Sequence, residues 1–163
     1  DHILKPGLIV VDLGAAPGSW SQVVSQKVGN TGKIIALDIL EMASLPNVML
    51  IQSDFREEQA ILELKTLLGG QPAHLVISDM APNMSGVAVS DQARSMHLAE
   101  LALAFAMEQL NYGGNFLVKV FQGRDFDPFL REMRASFRSV VIRKPKASRD
   151  RSNELYLLGL GRR

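Results

Sequence analysis

The chain has 163 residues, 47% hydrophobic and 21% charged, with a formal net charge of +1; this is the balance of an ordinary globular protein, long enough to bury one core unaided. Cysteine is absent, which excludes disulfides and Cys-ligated zinc or iron–sulfur sites and fits a reducing compartment. The histidines His2, His74 and His97 have no metal-ligand spacing, and no apolar run reaches the ~18 residues of a membrane span, so neither a metal centre nor a transmembrane helix is expected.

Apolar runs alternate with amphipathic stretches along the chain. Leu8–Leu13 predicts a first strand, and a Pro-Gly turn leads into a helix over 18–28 that ends near Gly29. Strands follow at 33–39 and 48–52, then a helix at 57–68 closed by Gly69 and Gly70. A strand at 75–78 precedes a long helix, 91–110, with Asp91 at its N-cap. Next come a strand at 115–121, a helix at 126–137 with Pro128 tolerated in its first turn, and two last strands at 140–143 and 155–160. Several strands are apolar on consecutive positions, as strands covered on both faces are.

Alternating strands and helices imply an α/β fold, with a doubly wound, mainly parallel sheet in one domain spanning 1–163. The last two strands have no helix between them, only the basic stretch 144–153, so a hairpin would give the sheet an antiparallel edge strand. The chain opens at Asp1 without an initiator Met, directly before a strand-like run. A natural segment ahead of it is therefore expected.

Charge is unevenly distributed. From Arg138 to Arg163 there are eight Lys or Arg against two acids, Asp150 and Glu154. That is either a solvated basic surface or the footprint of a polyanion. Met80, Met84, Met96 and Met107 read as core filler.

The first strand runs into Gly14-Ala15-Ala16-Pro17-Gly18-Ser19-Trp20. A strand, a glycine turn and a helix at the start of an open α/β sheet form a nucleotide-binding unit, because the backbone can approach a ligand and the helix presents unpaired N–H groups. The G-x-G-x-x-G dinucleotide pattern is not met, since Ala16 and Ser19 stand where glycines are needed. The spacing Asp12-x-Gly14-x-x-x-Gly18 instead looks like the first motif of S-adenosylmethionine methyltransferases. Asp38 closes the second strand, where a carboxylate can accept both ribose hydroxyls. Asp54 follows the third strand and has two readings: acceptor of an adenine amino group beside Phe55, or N-cap of the next helix.

Lys119 conflicts with its surroundings, the otherwise apolar run Phe116-Leu117-Val118-Lys119-Val120-Phe121. A buried ammonium needs partners. Asp79 ends the fourth strand and is placed to supply one at the sheet's carboxyl edge, and Glu154 leads into the last strand as a third charge. A lysine between carboxylates can orient a hydroxyl and, once neutral, act as its base.

The segments VVDLGAAPGSWSQ (10–22), SDMAPNMSG (78–86), LVKVFQG (117–123) and SNELYLL (152–158) together resemble the FtsJ/RrmJ family of ribosomal RNA 2′-O-ribose methyltransferases, from Leu4 to Arg162. The resemblance implies a Rossmann-like methyltransferase fold and S-adenosylmethionine as cofactor. It also implies, as reaction, methylation of a uridine ribose in large-subunit (23S) ribosomal RNA. Of the family's Lys-Asp-Lys-Glu tetrad, three members fall on Asp79, Lys119 and Glu154. The cofactor positions fall on Gly18, Trp20, Asp38, Asp54 and Asp79, beside the turn at Gly14. The family's first catalytic Lys lies upstream of the glycine motif and is not Lys5, so the chain as given is expected to bind cofactor yet methylate poorly.

The expected partner is ribosomal RNA or the large subunit, gripped by Lys144, Lys146, Arg149 and Arg151, with a monomer working in the bacterial cytoplasm. The rivals are transfer RNA or an mRNA cap as substrate, a non-catalytic RNA-binding module on the same fold, and a nicotinamide oxidoreductase. The absent glycines at 16 and 19 count against the last.

Overall fold

The computed structural model of the chain describes residues 3–16, 18–81, 85–144 and 153–163. In order, the elements are β1 (Ile9–Leu13), α1 (Ser19–Val28), β2 (Lys33–Asp38), β3 (Val48–Gln52), α2 (Glu58–Leu68), β4 (Ala73–Ser78), α3 (Ala88–Gln109), β5 (Leu110–Phe121), α4 (Phe126–Ser136), β6 (Phe137–Arg143) and β7 (Glu154–Arg162). The seven strands form one sheet in the order β3-β2-β1-β4-β5-β7-β6. The pairs β1–β2, β2–β3, β1–β4 and β4–β5 are parallel. The antiparallel strand expected at the last end of the sheet is β7, which is inserted between β5 and β6.

Side-chain alternation along the strands sorts the core into two layers. Val11, Leu13, Ile35, Leu37, Val76, Phe116 and Val118 pack with residues of α2, α3 and α4. Val10, Ile34, Leu75 and Ile77 point the other way, onto Val24 and Val28 of α1. Both faces of β1, β2 and β4 are thereby covered, which is why these strands are almost uninterruptedly apolar. The buried stripe of α3, including Met96, Ala99, Leu103 and Ala106, recurs at three- and four-residue spacing. At the antiparallel end, Phe116 and Phe137 stack with centroids 6.1 Å apart. Phe137 lies so close over Gly159 that a Cβ there would sit 2.6 Å from the ring.

Two local expectations need correction. α3 begins at Ala88 with Val87 as its cap, so Asp91 is not the N-cap. It lies within the first turn, where its carboxylate accepts from Ser85 N (2.9 Å), Ser85 Oγ (2.8 Å) and Gly86 N (3.2 Å), and pairs with Arg94. Those bonds tie the loop after β4 onto the helix and hold the Asp91 carboxyl down at about 2, the Ser85 backbone N–H being the largest cause. β5 begins at Leu110, five residues before the expected start, with an irregular register against β4 between Ala73 and Leu75. Asn111, Tyr112 and Gly113 there are exposed, so hydropathy gives no sign of a strand.

Candidate active site

The chain passes from β1 outward to β2 and β3, then returns to place β4 on β1's other side. This reversal leaves a crevice at the carboxyl ends of β1 and β4, the usual ligand position in such sheets. Gly14 forms its floor. Its φ is +72°, and an added Cβ would lie 2.8 Å from the backbone N and Cα of Met80, so neither the turn nor the packing admits a side chain. Gly14 N and Ala15 N donate to Leu37 O at 2.8 and 3.0 Å. Gly18, at φ +111°, caps α1 in a left-handed conformation.

Asp38 braces this turn from the end of β2: its Oδ2 accepts from Ala16 N at 2.9 Å and its Oδ1 from Leu40 N at 3.0 Å. A cavity of about 340 Å³ opens beside it, lined by Gly14, Ala16 and Asp38, by Leu40, Asp54, Phe55 and Arg56, and by Asp79, Met80, Arg94 and Leu98. Asp54 does not cap α2. The cap is Glu57, whose N–H donates to the Asp54 carbonyl at 2.9 Å. The Asp54 side chain is instead held by Arg56, whose hydrogen bonds keep its carboxyl below the usual range.

At the opposite wall, Asp79 gathers three side chains. Lys119 Nζ lies 2.9 Å from its Oδ1, with the lysine side chain only 13% exposed. Trp20 Nε1 donates to Oδ2 at 3.1 Å, and Tyr156 OH reaches Oδ1 at 3.4 Å. Register places Lys119 opposite Tyr156 and Phe121 opposite Glu154 across the β5–β7 pair, so Glu154 lies on the same face as Lys119, one step along. Trp20 and Tyr156 meet edge to face with centroids 6.2 Å apart. Burial first, then the charges of Asp79 and Glu154, push the Tyr156 phenol well up, so it remains a neutral hydroxyl donor.

Behind the turn, Asp12 is fully buried. Its Oδ2 accepts from Ser21 Oγ at 2.7 Å, while Oδ1 has no hydrogen-bond partner among the described residues. Burial chiefly, with the charges of Asp79 and Asp38 adding, pushes its carboxyl up to about 7 against the Ser21 hydrogen bond.

Asp79, Lys119 and Trp20 are thus brought together, with Glu154 on the neighbouring register position. Gly14, Asp38 and Asp54 line the adjoining cavity. Lys144 is exposed beyond β6, its Nζ 3.4 Å from Glu154 O. Lys146, Arg149 and Arg151 lie outside the described residues. Sequence reasoning passed over Tyr156, Arg56 and Arg94. Tyr156 shares period-two alternation with Glu154, a usable signal. Arg94 stands three residues after Asp91 on α3, the same helical face. Arg56 carried no signal beyond its closeness to Asp54.

The residues fit an adenosyl donor bearing a sulfonium. The floor admits close backbone approach, Leu40, Phe55 and Leu98 offer apolar walls, and acceptors stand at Asp38, Asp54 and Asp79. The carboxylates of Asp38 and Asp79 at the cavity suit a cation and would repel a pyrophosphate, which disfavours a dinucleotide.

The profile of the FtsJ-like methyltransferase family matches residues 1–162. Ribosomal RNA large subunit methyltransferase E of Nitrosospira multiformis is 63% identical over all of this chain and 79% of its own length. The protein of that name from Methylobacillus flagellatus is 60% identical over the same shares. Among solved structures, a Plasmodium falciparum protein provisionally described as a ribosomal RNA methyltransferase superposes with a TM-score of 0.85 at 28% identity, covering 97% of this chain and 88% of its own. A Streptococcus mutans protein, provisionally described as a methyltransferase and solved with SAH, shares the fold with a TM-score of 0.62 at 18% identity, covering 97% and 88%.

Proposed function

This chain belongs to the FtsJ-like methyltransferase family, and from that premise we propose that it methylates a ribose 2′-hydroxyl, on a uridine of large-subunit (23S) ribosomal RNA. Its cofactor is S-adenosylmethionine, as the family and the acidic, glycine-floored cavity require. Support for the RNA substrate comes from similarity, over all of this chain and 79% of their own length, to bacterial proteins named ribosomal RNA large subunit methyltransferase E. The observation that carries the chemistry is the Lys119–Asp79 pair, 2.9 Å apart at the cavity wall.

S-adenosylmethionine supplies a methyl group activated on sulfur. Lys119 Nζ orients the ribose hydroxyl and, once it has given up its own proton, takes the hydroxyl's proton as the oxygen becomes nucleophilic. Asp79 holds Lys119 in place, and Trp20 and Tyr156 fix the Asp79 carboxylate by donating to it. Glu154 steadies the hydroxyl or the lysine from the next register position. Asp38 accepts ribose hydroxyls of the cofactor and Asp54 its adenine amino group, over the backbone of Gly14 and Gly18. Much of the acceleration comes from positioning, which is worth about 7–11 kcal/mol for two well-aligned reactants. Residues 1–163 act as one catalytic domain and as a monomer. Lys144, Lys146, Arg149 and Arg151 grip RNA phosphates. The working place is the bacterial cytoplasm, where large subunits are assembled; no helix among the described residues is long and apolar enough to cross a membrane.

Incubation with methyl-labelled cofactor and large-subunit ribosomal RNA, free or in particles, tests this. A methylated 2′-oxygen cannot attack its neighbouring phosphate, so the label is expected in alkali-resistant dinucleotides. Label on a base would overturn the ribose assignment. Preferential labelling of transfer RNA or capped RNA would overturn the substrate assignment.

A further inference from the structure

Arg56 binds Asp54 more completely than an exposed ion pair requires. Its Nε lies 3.0 Å from Oδ1 and 3.2 Å from Oδ2, its Nη2 lies 2.6 Å from Oδ2, and its backbone N donates to Oδ1 at 2.9 Å. The arrangement is local: the turn closes through Glu57 N on Asp54 O, so the carboxylate is oriented before any ligand arrives. Both side chains line the cavity beside Phe55 and Leu40. Stability does not account for the pair, because the arginine side chain is 56% exposed and surface pairs of this kind contribute little.

A carboxylate offers about four lone-pair positions. The backbone N–H and the shorter leg of the shared Nε–H, 3.0 Å against 3.2 Å, occupy those of Oδ1, and Nη2–H occupies one on Oδ2, leaving the far side of Oδ2 for one further donor. We propose that Arg56 is a specificity-determining positioning residue, which leaves Asp54 a single oriented acceptor for the 6-amino group of the cofactor's purine and so discriminates against a 6-oxo purine. The proposal rests on the reading of Asp54 as the adenine acceptor. A 6-oxo purine turns a carbonyl oxygen toward a carboxylate that Arg56 prevents from rotating away, and two acceptors then face each other with no proton between them. A ligand is thereby read by a hydrogen bond its competitor cannot make, the strongest kind of discrimination a small site achieves.

Calorimetric titration of wild type, Arg56→Ala and Arg56→Lys with S-adenosylhomocysteine and S-inosylhomocysteine, which differ at purine position 6 and in the proton that the 6-oxo ring carries on N1, tests the proposal. Wild type is expected to prefer the adenosyl ligand by about tenfold or more, the scale of one charge-assisted hydrogen bond. Arg56→Ala should weaken adenosyl binding about five- to tenfold while inosyl binding stays within about twofold, so that the preference collapses. Arg56→Lys, which cannot form the fork, should fall between. A preference unchanged in Arg56→Ala, or equal weakening of both ligands, overturns the proposal. So does a wild type that binds both alike, although the cofactor site itself then stands. Failure of wild type to bind S-adenosylhomocysteine at all removes the cofactor reading along with it.

Discussion

Tyr156 stands directly opposite Lys119 across the antiparallel β5–β7 pair, and both side chains converge on Oδ1 of Asp79, at 3.4 and 2.9 Å. A carboxylate that receives a lysine, a phenol and an indole N–H has little freedom to rotate. The lysine it holds is correspondingly fixed beside Asp79, which lines the cavity. On the proposed reading, this side of the crevice is a rigid support for the reacting hydroxyl.

Replacing Lys119 by Ala should reduce methyl transfer by about 10²–10⁴-fold, the range of a lost general base. S-adenosylhomocysteine affinity, measured by calorimetry, should change by no more than a few-fold, because Lys119 contacts Asp79 and not the glycine turn. Equal loss of binding and transfer would assign the lysine a folding role.

Tyr156→Phe should retain most activity, since it removes only a long hydrogen bond of 3.4 Å. Tyr156→Ala also removes the edge contact on Trp20, a pair worth about 0.5–1.5 kcal/mol beyond its buried area, and should lower kcat by roughly tenfold. Trp20 is the chain's one tryptophan, so its fluorescence reports on the site directly. The emission of Tyr156→Ala should shift and that of Tyr156→Phe should not. Identical spectra for the two variants would contradict this division.

Asp12 makes stability depend on pH in an unusual direction. Its carboxyl sits at about 7 in the fold against a reference of 3.8, so the folded chain binds this proton more tightly than the unfolded chain. Between about pH 4 and 7 the unfolded state therefore holds fewer protons at this site, and its contribution makes stability fall as pH rises. The buried anion above pH 7 costs on the order of a few kcal/mol. Asp12→Asn keeps an oxygen for Ser21 and removes the titration. Its Tm should exceed that of wild type at pH 8 and approach it at pH 5. A constant difference across that range would show that Asp12 does not titrate there.

Neutralising Lys144, Lys146, Arg149 and Arg151 together should weaken RNA binding and flatten its salt dependence. Each lost phosphate contact reduces the slope of log K against log salt by about 0.7–0.9. Fluorescence anisotropy with a labelled RNA fragment at several salt concentrations measures both. An unchanged slope would place the RNA elsewhere on the surface.

The order and type of the secondary-structure elements were legible from the sequence because buried strands and amphipathic helices write their environments into hydropathy. Lys119 was conspicuous because an ammonium interrupts an apolar strand, and the glycine turn because Gly14 and Gly18 occupy positive φ. The early start of β5 was hidden, since Asn111, Tyr112 and Gly113 are exposed and fall in the register irregularity between the Ala73–Leu110 and Leu75–Asn115 pairs. Asp91 resembled a cap because its residue type is common there. Its carboxylate instead serves Ser85 and Gly86, which only the path of the preceding loop could reveal.

The sequence by itself determined an α/β sheet with a glycine-floored crevice and the charged residues that had to find partners. Which charge met which was decided by the tertiary structure. Asp79 and Lys119 are separated by all of α3, and they meet because β4 and β5 run parallel side by side. Tyr156 joins them because β7 inserts antiparallel against β5 in one particular register. Residue chemistry is local and readable along a chain, whereas register between distant strands is set by the packing of the whole core, where a one-residue slip would send Tyr156 to the opposite face.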